Sequence, residues 1–284
     1  MGRRLASRTT ISGGTDSGTF RGSRAANFLV RCAAGFASLR RIPFVGGAVS
    51  WAGRLIAPKG RLVWVRIAQG PGEGLWVRVN PRTGLSVQRA EGEPKAQQAL
   101  VDYLRPGMTF YDLGANIGFF SLIAARLVGR GGQVVAFEAD PEVAERLRGN
   151  FEHNGFSHAK TEEKAVWSEP GTVRFARVDA NTSPDRGLGH VSSGDEASNA
   201  IVVEATSLDH YISTQRAPDF VKCDVEGAEV AVFQGARQLL AARRAILLVE
   251  MHSPENKTLL AAQFKSCGYD VRSVDETHVL ALPH

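Results

Sequence analysis

Cysteine is scarce in this sequence: the 284 residues contain three, Cys32, Cys223 and Cys267, which lie far apart. A small, odd and widely spaced set argues against a disulfide framework, and it lacks the close pairs of a zinc site. Unpaired thiols fit a reducing compartment, so we expect a cytoplasmic protein.

Long apolar runs and a common phosphate-binding pattern are missing as well. Arg31, Arg40 and Arg41 interrupt the apolar residues of the N-terminal region, which argues against a transmembrane span or a signal peptide there. The pattern G-x-x-x-x-G-K-S/T is absent, which excludes a P-loop. With 43% hydrophobic and 22% charged residues, the composition is typical of a soluble globular protein.

Basic residues are concentrated at one end of the chain. Residues 1–66 contain 12 Lys and Arg but one acidic residue, a net charge of +11, whereas residues 67–284 carry −6. We predict a disordered basic leader in residues 1–24, followed in residues 25–92 by a helix and a β-hairpin. Three roles for the leader stay open: a solvated tail, peripheral contact with an anionic membrane, or binding of an anionic substrate. We favour the tail.

The most informative motif is the nonapeptide Asp-Leu-Gly-Ala-Asn-Ile-Gly-Phe-Phe of residues 112–120. It follows an apolar strand predicted at 109–113 and precedes an amphipathic helix. Gly114 and Gly118 allow a sharp turn and a close approach of the backbone to a ligand, toward which the helix start directs its free N–H groups. The motif predicts a nucleotide-type cofactor loop, and an ordinary packing turn is the alternative. The predicted cofactor-binding residues of this loop are Asp112, Gly114, Ala115, Asn116, Gly118 and Phe119.

A second motif supports the cofactor interpretation. The apolar strand predicted at 133–137 ends in Glu138, Ala139, Asp140 and Pro141. An acidic residue at this distance from such a loop commonly binds the hydroxyl groups of a ribose, so we predict that Glu138 and Ala139 contact the cofactor. Asp140 and Pro141 are expected to begin the next helix, and a second capping carboxylate is the alternative role of Glu138.

The loop also indicates which cofactor is bound. Asn116 and Phe119 stand where a dinucleotide-binding loop has its second and third glycines, so a pyrophosphate fits poorly. A ligand with an adenosine end, no phosphates and an amino-acid tail suits the turn, and S-adenosylmethionine has this chemistry. Asp112 would either face its ammonium group or fix the loop.

The last 16 residues indicate the topology of the sheet. Strands predicted at 269–274 and 277–282 are separated by two residues, which is too short for a parallel crossover. They are therefore expected to form an antiparallel hairpin. Further upstream, residues 172–178 and 200–205 have strand composition and are expected to pair at the edge of the sheet. The polar segment 179–199 between them, which contains His190, is predicted to be a substrate loop or lid.

Charged residues follow two further apolar strands, predicted at 219–223 and 245–249. Asp224 is expected at the end of the first strand, beside the glycine loop, while Glu226 and Glu229 are expected on one face of a short helix. The second strand leads to Glu250 and His252, where His252 would accept a proton from a substrate hydroxyl or cap the helix that begins nearby. Both roles stay open.

These motifs resemble the FkbM-type S-adenosylmethionine-dependent methyltransferases over residues 60–284. The resemblance is carried by residues 112–118, 137–141, 207–209, 222–229 followed by Gly235-Ala236, and 250–252. Two positions depart from the family pattern. Cys223 stands at an apolar position of the fourth motif, and Gly92 replaces the aromatic residue that usually precedes the glutamate found here as Glu93.

The resemblance implies the α/β fold of class I methyltransferases. This fold is a Rossmann-like three-layer sandwich, whose seven-stranded sheet is mostly parallel with one antiparallel strand. It would span residues 93–284 and follow the small N-terminal helix and β-hairpin extension of residues 25–92.

The resemblance also implies transfer of a methyl group to a hydroxyl of a small molecule, sugar, glycolipid or polyketide. We predict His252 as the base, with Asp224 and Glu226 orienting the reactants. Binding of Mg²⁺ is the alternative use of Asp224, Glu226 and Glu250, and we favour a site without a metal. Three other functions are weighed: a nucleic-acid methyltransferase that uses the basic leader, a non-catalytic module that binds S-adenosylmethionine and, as the weakest, a dehydrogenase. The acceptor and the oligomeric state stay open.

Overall fold

The computed structural model describes residues 62–80, 87, 90, 92–177, 189–191 and 200–284, which all belong to one compact unit. The predicted leader of residues 1–24 and the helix predicted after it lie outside these residues. The strands are β1 Val63–Arg66, β2 Trp76–Val79, β3 Thr109–Leu113, β4 Gln133–Phe137, β5 Ala159–Glu162, β6 Ala165–Val166, β7 Gly171–Ala176, β8 His190–Val191, β9 Ala200–Thr206, β10 Phe220–Cys223, β11 Ile246–Glu250, β12 Tyr269–Ser273 and β13 His278–Pro283. The helices are α1 Pro94–Tyr103, α2 Phe119–Val128, α3 Pro141–His153, α4 Leu208–Ile212, α5 Glu229–Gln234, α6 Arg237–Ala242 and α7 Pro254–Ser266.

The main sheet has seven strands in the order β12-β13-β11-β10-β3-β4-β5. Strand β13 is antiparallel to both of its neighbours, and the pairs from β11 to β5 are parallel. In the register of the central strands, Leu113 lies opposite both Phe137 and Cys223. The carboxyl ends of β3, β4 and β10 therefore meet at one edge, where open α/β sheets bind their ligands. The expected sheet with a single antiparallel strand is confirmed.

Both faces of this sheet are buried, which explains why its central strands are continuous apolar runs. On one face Tyr111 and Leu113 of β3 belong to a core that includes residues of the helices α4 to α7. On the other face Phe110 of β3 contacts Phe220 of β10, with ring centroids 5.6 Å apart. Helix α2 packs on β3 and β4. The side chains that alternate along each strand thus fill two separate layers.

The predicted N-terminal hairpin is present as β1 and β2, which pair antiparallel. The ring of Trp64 in β1 stacks on His153 at the end of α3, with centroids 3.9 Å apart. In the turn between the strands, the carbonyl oxygens of Pro71 and Glu73 accept hydrogen bonds from Arg126 of α2 at 3.1 and 2.8 Å. The hairpin is therefore held on the two helices that flank β4.

A second, four-stranded sheet has the order β6-β9-β7-β8. The predicted pairing of the two strands that flank the polar segment is confirmed, because β7 and β9 are antiparallel. Their expected position was wrong: they form a separate sheet with β6 instead of extending the edge of the main sheet. Of the polar segment the structure describes residues 189–191, in which His190 and Val191 form β8.

Among the described residues, no helix is both long and apolar enough to cross a membrane.

The short motif of residues 207–209 has a structural role. The hydroxyl oxygen of Ser207 accepts a hydrogen bond from the backbone N–H of His210 and caps α4. The two carboxylate oxygens of Asp209 accept hydrogen bonds from the N–H groups of Gln238 and Leu239 at 2.9 and 3.0 Å. Asp209 therefore satisfies free donors in the first turn of α6, a helix that lacks a capping side chain at its own N-cap.

We expect Asp209→Ala to lower the free energy of unfolding by about 1–2 kcal/mol, because two N–H groups lose their acceptor. Denaturation with urea measures this change. The matched control is Asp102→Ala, which removes an exposed carboxylate that accepts from the side chain of Gln98 and should stay within about 0.5 kcal/mol of the wild type. Equal effects of the two substitutions would contradict the capping role.

Candidate active site

The loop after β3 has the left-handed backbone that its glycines permit. The φ angles are 76° at Gly114, 51° at Asn116 and 86° at Gly118. A Cβ atom on Gly114 would collide with the backbone carbonyl oxygen of Asp224, and one on Gly118 with the side chain of Leu147. The loop therefore lies directly against the end of β10. Glycine is needed at residue 114 because a Cβ would have no room there and because the left-handed backbone disfavours other residues.

Glu138 holds this loop from the end of β4. One carboxylate oxygen accepts a hydrogen bond from the N–H of Asn116 at 2.8 Å, and the other accepts from the N–H of Asp140 at 2.9 Å. Burial raises the pKa of Glu138 to about 7. Asp140 caps α3 through the N–H of Glu142, as predicted, so the cap of that helix does not depend on Glu138. Each oxygen of Glu138 retains a lone pair for a hydroxyl group.

Asp112 is 1% exposed, and its two oxygens have different surroundings. One accepts a hydrogen bond from the hydroxyl of Ser121 in α2 at 2.5 Å, which fixes the carboxylate to that helix. The other is buried without a hydrogen-bond partner. Burial raises the pKa of Asp112, and nearby Lys222 opposes the shift. An unsatisfied buried carboxylate oxygen suits an ammonium group, because such an atom otherwise costs free energy.

A cleft opens beside the loop. Three of the predicted cofactor-binding residues, Gly114, Glu138 and Ala139, line it together with Asp224 and Glu226. The other predicted residues shape the loop: Ala115 donates its N–H to the carbonyl oxygen of Phe137 at 2.9 Å, and Phe119 begins α2.

Sequence reasoning missed one wall of the cleft. Lys164, Ala165 and Val166 lie there, just after β5, and Phe175 and Val191 of the second sheet complete it. The signal was available, because β5 is parallel to β4 and its carboxyl end reaches the same edge of the sheet. The second sheet had no such signal, since its position depends on tertiary packing.

His252 lies among three carboxylates. Its Nδ1 is 2.8 Å from Glu229, and its Nε2 is 3.2 Å from Glu226 and 3.7 Å from Asp224. Hydrogen bonds to Glu226 and Glu229 raise the pKa of His252 to about 10, so the imidazole is protonated at neutral pH. The hydroxyl of Ser253 caps α7, which removes the capping alternative for His252. Its role as a base stays a prediction.

The expected placement of Glu226 was wrong. Helix α5 begins at Glu229, and Glu226 lies in the preceding turn with φ 52°. Gly227, with φ 98°, continues the turn. Glu226 and Glu229 nevertheless converge, because the turn directs both carboxylates to His252. Asp224 lies where the sequence predicted, with its N–H donated to the carbonyl oxygen of Leu113 at 3.0 Å.

A second group of charges adjoins the first. The Nε2 of His278 lies 3.1 Å from Glu93 and 3.8 Å from Glu250, and its Nδ1 lies 3.0 Å from Asp275. The carboxylates suggested as a metal site are therefore divided: Asp224 and Glu226 group with His252, whereas Glu250 groups with Glu93 and His278.

Lys222 links the two groups of charges. It is 3% exposed and lies 3.0 Å from Asp224. Burial alone would lower the pKa of Lys222, but Asp224, Asp112 and Glu93 together raise it. The lysine is therefore a permanent buried cation between the cofactor loop and the second group.

Fold and site together define a class I methyltransferase: a seven-stranded sheet with one reversed strand, a glycine loop after its central strand and an acidic residue after the next. The sequence supports the same conclusion independently, because residues 112–271 match the model of the methyltransferase FkbM domain. The match covers more than half of the 284 residues, and the chain belongs to the FkbM methyltransferase family. The family implies S-adenosylmethionine as the methyl donor.

Similarity to individual proteins is more local. The chain is 45% identical over 56 residues to ribosomal protein L11 methyltransferase of Pelotomaculum thermopropionicum, covering 20% of this chain and 18% of that protein. It is 44% identical over 52 residues to protein-L-isoaspartate O-methyltransferase of Aeropyrum pernix, covering 18% and 20%. The alignments thus span about a fifth of these curated relatives. The crystal structure of the FkbM methyltransferase of Methylobacillus flagellatus superposes with a TM-score of 0.45 at 16% identity, over 71% of this chain and 59% of that one.

We expect Gly114→Ala to lower the melting temperature and to abolish binding of S-adenosylhomocysteine. The left-handed backbone costs a residue with a Cβ about 1–3 kcal/mol, and the collision with the carbonyl oxygen of Asp224 adds to this. Thermal unfolding and calorimetric titration measure the two effects. In Gly131→Ala, the control, the new Cβ meets no atom within 4 Å, so both quantities should be unchanged. If the two variants behaved alike, the close approach of the loop to β10 would not be a constraint.

Proposed function

We propose that the protein is an S-adenosylmethionine-dependent O-methyltransferase that acts on a small hydroxylated acceptor. One observation carries the proposal: Asp224 belongs both to the cofactor cleft and to the charged group around His252. Its carbonyl oxygen lies against Gly114, and its carboxylate lies 3.7 Å from the imidazole. A methyl donor in the cleft and a hydroxyl beside His252 would accordingly be neighbours.

The residues of the cleft suit each part of the cofactor. The unpaired oxygen of Asp112 would accept hydrogen bonds from the ammonium group, and Glu138 would accept them from the ribose hydroxyls. Ala165 and Val166 offer an apolar wall of the kind that an adenine ring requires. When bound, S-adenosylmethionine supplies an electrophilic methyl group on a positively charged sulfur. Among the described residues, three carboxylates, those of Glu138, Asp224 and Glu226, line the cleft against one cation, Lys164, and this excess of acidic groups suits a positively charged ligand.

The acceptor side is polar and dominated by carboxylates. Asp224 and Glu226 offer acceptors for a substrate hydroxyl, and orientation of that hydroxyl toward the methyl donor is the main requirement of the reaction. The hydroxyl oxygen would bond to the methyl carbon as the carbon–sulfur bond breaks, which would leave S-adenosylhomocysteine, and the hydroxyl would lose its proton. His252 accepts this proton when its ring is neutral, and while it is protonated it fixes the two carboxylates.

The charges support a small acceptor over a nucleic acid. Residues 67–284 carry a net charge of −6, which repels phosphates. Sugars, glycolipids and polyketides with a free hydroxyl remain the proposed acceptors. The two curated relatives carry the names of methyltransferases for different acceptors, a ribosomal protein and isoaspartate, so their names favour neither class.

The first test is calorimetric titration with S-adenosylhomocysteine and, separately, with NAD. We expect binding of the former alone. Because the pKa of Glu138 is raised to about 7, its carboxylate is ionised above that value and protonated below it. Affinity should therefore fall as the pH is lowered through about 7. Failure of S-adenosylhomocysteine to bind at pH 8 would overturn the proposal, and a pH-independent affinity would remove Glu138 from the ribose site.

The second test changes the pKa of His252 by substitution of Glu229. The carboxylate of Glu229 lies at Nδ1 of His252, whereas the cleft carboxylates of Asp224 and Glu226 lie at Nε2. Glu229→Gln removes a charge that raises the pKa of His252, so that pKa should fall below about 10. Titration of the imidazole by NMR measures the shift directly. If neutral His252 is the base, the rate of methyl transfer should rise with pH up to about 10 in the wild type and reach its plateau at lower pH in the variant. A profile that is unchanged by Glu229→Gln would instead identify His252 as a fixed cation.

A further inference from the structure

The side chain of Asn150 joins three parts of the molecule. It lies in α3 and is 0% exposed. Its amide nitrogen donates to the carbonyl oxygen of Ile117 in the cofactor loop at 2.7 Å, and its oxygen accepts from the N–H of Arg78 in β2 at 2.9 Å. One buried amide thus connects the N-terminal hairpin, through α3, to the loop that follows β3.

The orientation of this amide is determined by its partners. A backbone N–H can only donate and a carbonyl oxygen can only accept, so the oxygen of Asn150 must face Arg78 and its nitrogen must face Ile117. Both polar groups of the side chain are consequently satisfied, as a fully buried amide requires. Neither an ionised acid nor an apolar side chain of similar size reproduces the pair of contacts.

The loop needs such contacts because its backbone is strained. Asn116 has φ 51°, a conformation that costs a residue with a Cβ and persists where neighbouring groups enforce it. Glu138 binds the N–H of Asn116 on one side of the loop, and Asn150 binds the carbonyl oxygen of the next residue, Ile117, on the other. The two contacts fix the peptide groups that precede α2.

We propose that Asn150 is a positioning residue for cofactor binding and that it makes the β1–β2 hairpin a functional part of the cofactor site. The expected effect of Asn150 on affinity rests on the proposed use of S-adenosylmethionine. The expected effect of Asn150 on the loop concerns the free protein and is independent of any ligand. Loss of the Asn150 amide releases the carbonyl group of Ile117, so the loop samples other conformations. Binding of the ligand then has to order the loop again, and the entropy lost in this step weakens the affinity.

Asn154, the C-cap residue that follows α3, provides a control one turn further along the chain. Its oxygen accepts from the N–H of Trp76 at 2.9 Å, and its nitrogen donates to the carbonyl oxygen of Trp76 at 2.7 Å. Asn154 therefore binds the same hairpin from the end of the same helix, but none of its hydrogen bonds reaches the cofactor loop. Substitutions of the two asparagines separate docking of the hairpin from positioning of the loop.

The experiment compares Asn150→Asp with Asn154→Asp. Each change keeps the acceptor oxygen and, while the new carboxylate is ionised, removes the donor. Hydrogen exchange of the free proteins reports on the loop, and calorimetric titration with S-adenosylhomocysteine reports on binding. In Asn150→Asp we expect exchange of the Asn116 and Gly118 amides to be about tenfold faster and affinity to be about tenfold weaker, the effect of losing one buried hydrogen bond. Asn154→Asp should leave both unchanged.

Asn150→Ala supplements the pair because it removes both polar groups of the side chain without adding a buried charge or a new donor, and it should show the same two effects below its melting temperature. Unchanged loop exchange in both Asn150 variants would overturn the inference, as would an equal effect in Asn154→Asp. If the wild type bound no S-adenosylhomocysteine, the proposed function would fail, while the exchange measurement would still decide whether Asn150 positions the loop.

Discussion

The site depends on the close contact between the loop after β3 and the end of β10. The N–H of Asp224 binds the carbonyl oxygen of Leu113, and the absence of a side chain at Gly114 lets the next peptide approach the carbonyl oxygen of Asp224. Two chain segments that are about a hundred residues apart are thereby joined at their tips. The glycine loop shapes one side of the cleft, and the carboxylate motif shapes the other, so a displacement of either segment changes both.

Two cations, one buried and one more exposed, lie among carboxylates near this contact. Buried Lys222 lies among Asp112, Asp224 and Glu93, and the more exposed imidazole of His252 lies among Asp224, Glu226 and Glu229. Burial would raise the pKa of Asp224, but Lys222 and His252 together lower it. The carboxylate of Asp224 therefore stays ionised, whereas burial raises the pKa of Asp112 even beside Lys222.

Much of this arrangement could be predicted from the sequence, and the remainder could not for physical reasons. The predicted strands 109–113 and 133–137 agree with β3 and β4 because buried parallel strands are continuous apolar runs with clear ends. Asp224 and Glu138 were predicted at the cleft because strand ends define this edge of the sheet. The left-handed turn at Glu226 left no apolar pattern, and the pKa of His252 is set by neighbours that only the fold brings together.

Strand β13 is antiparallel to both of its neighbours, and this direction determines which of its ends lies near the site. Because this strand is antiparallel, its first residue, His278, lies at the edge where the parallel strands end. The turn that precedes it, with Asp275, lies beside the second group of charges, and neither Asp275 nor His278 is among the residues that line the cleft. Under the proposed function, insertions in this turn would alter the surroundings of the acceptor while the glycine loop and Glu138 kept their sequence.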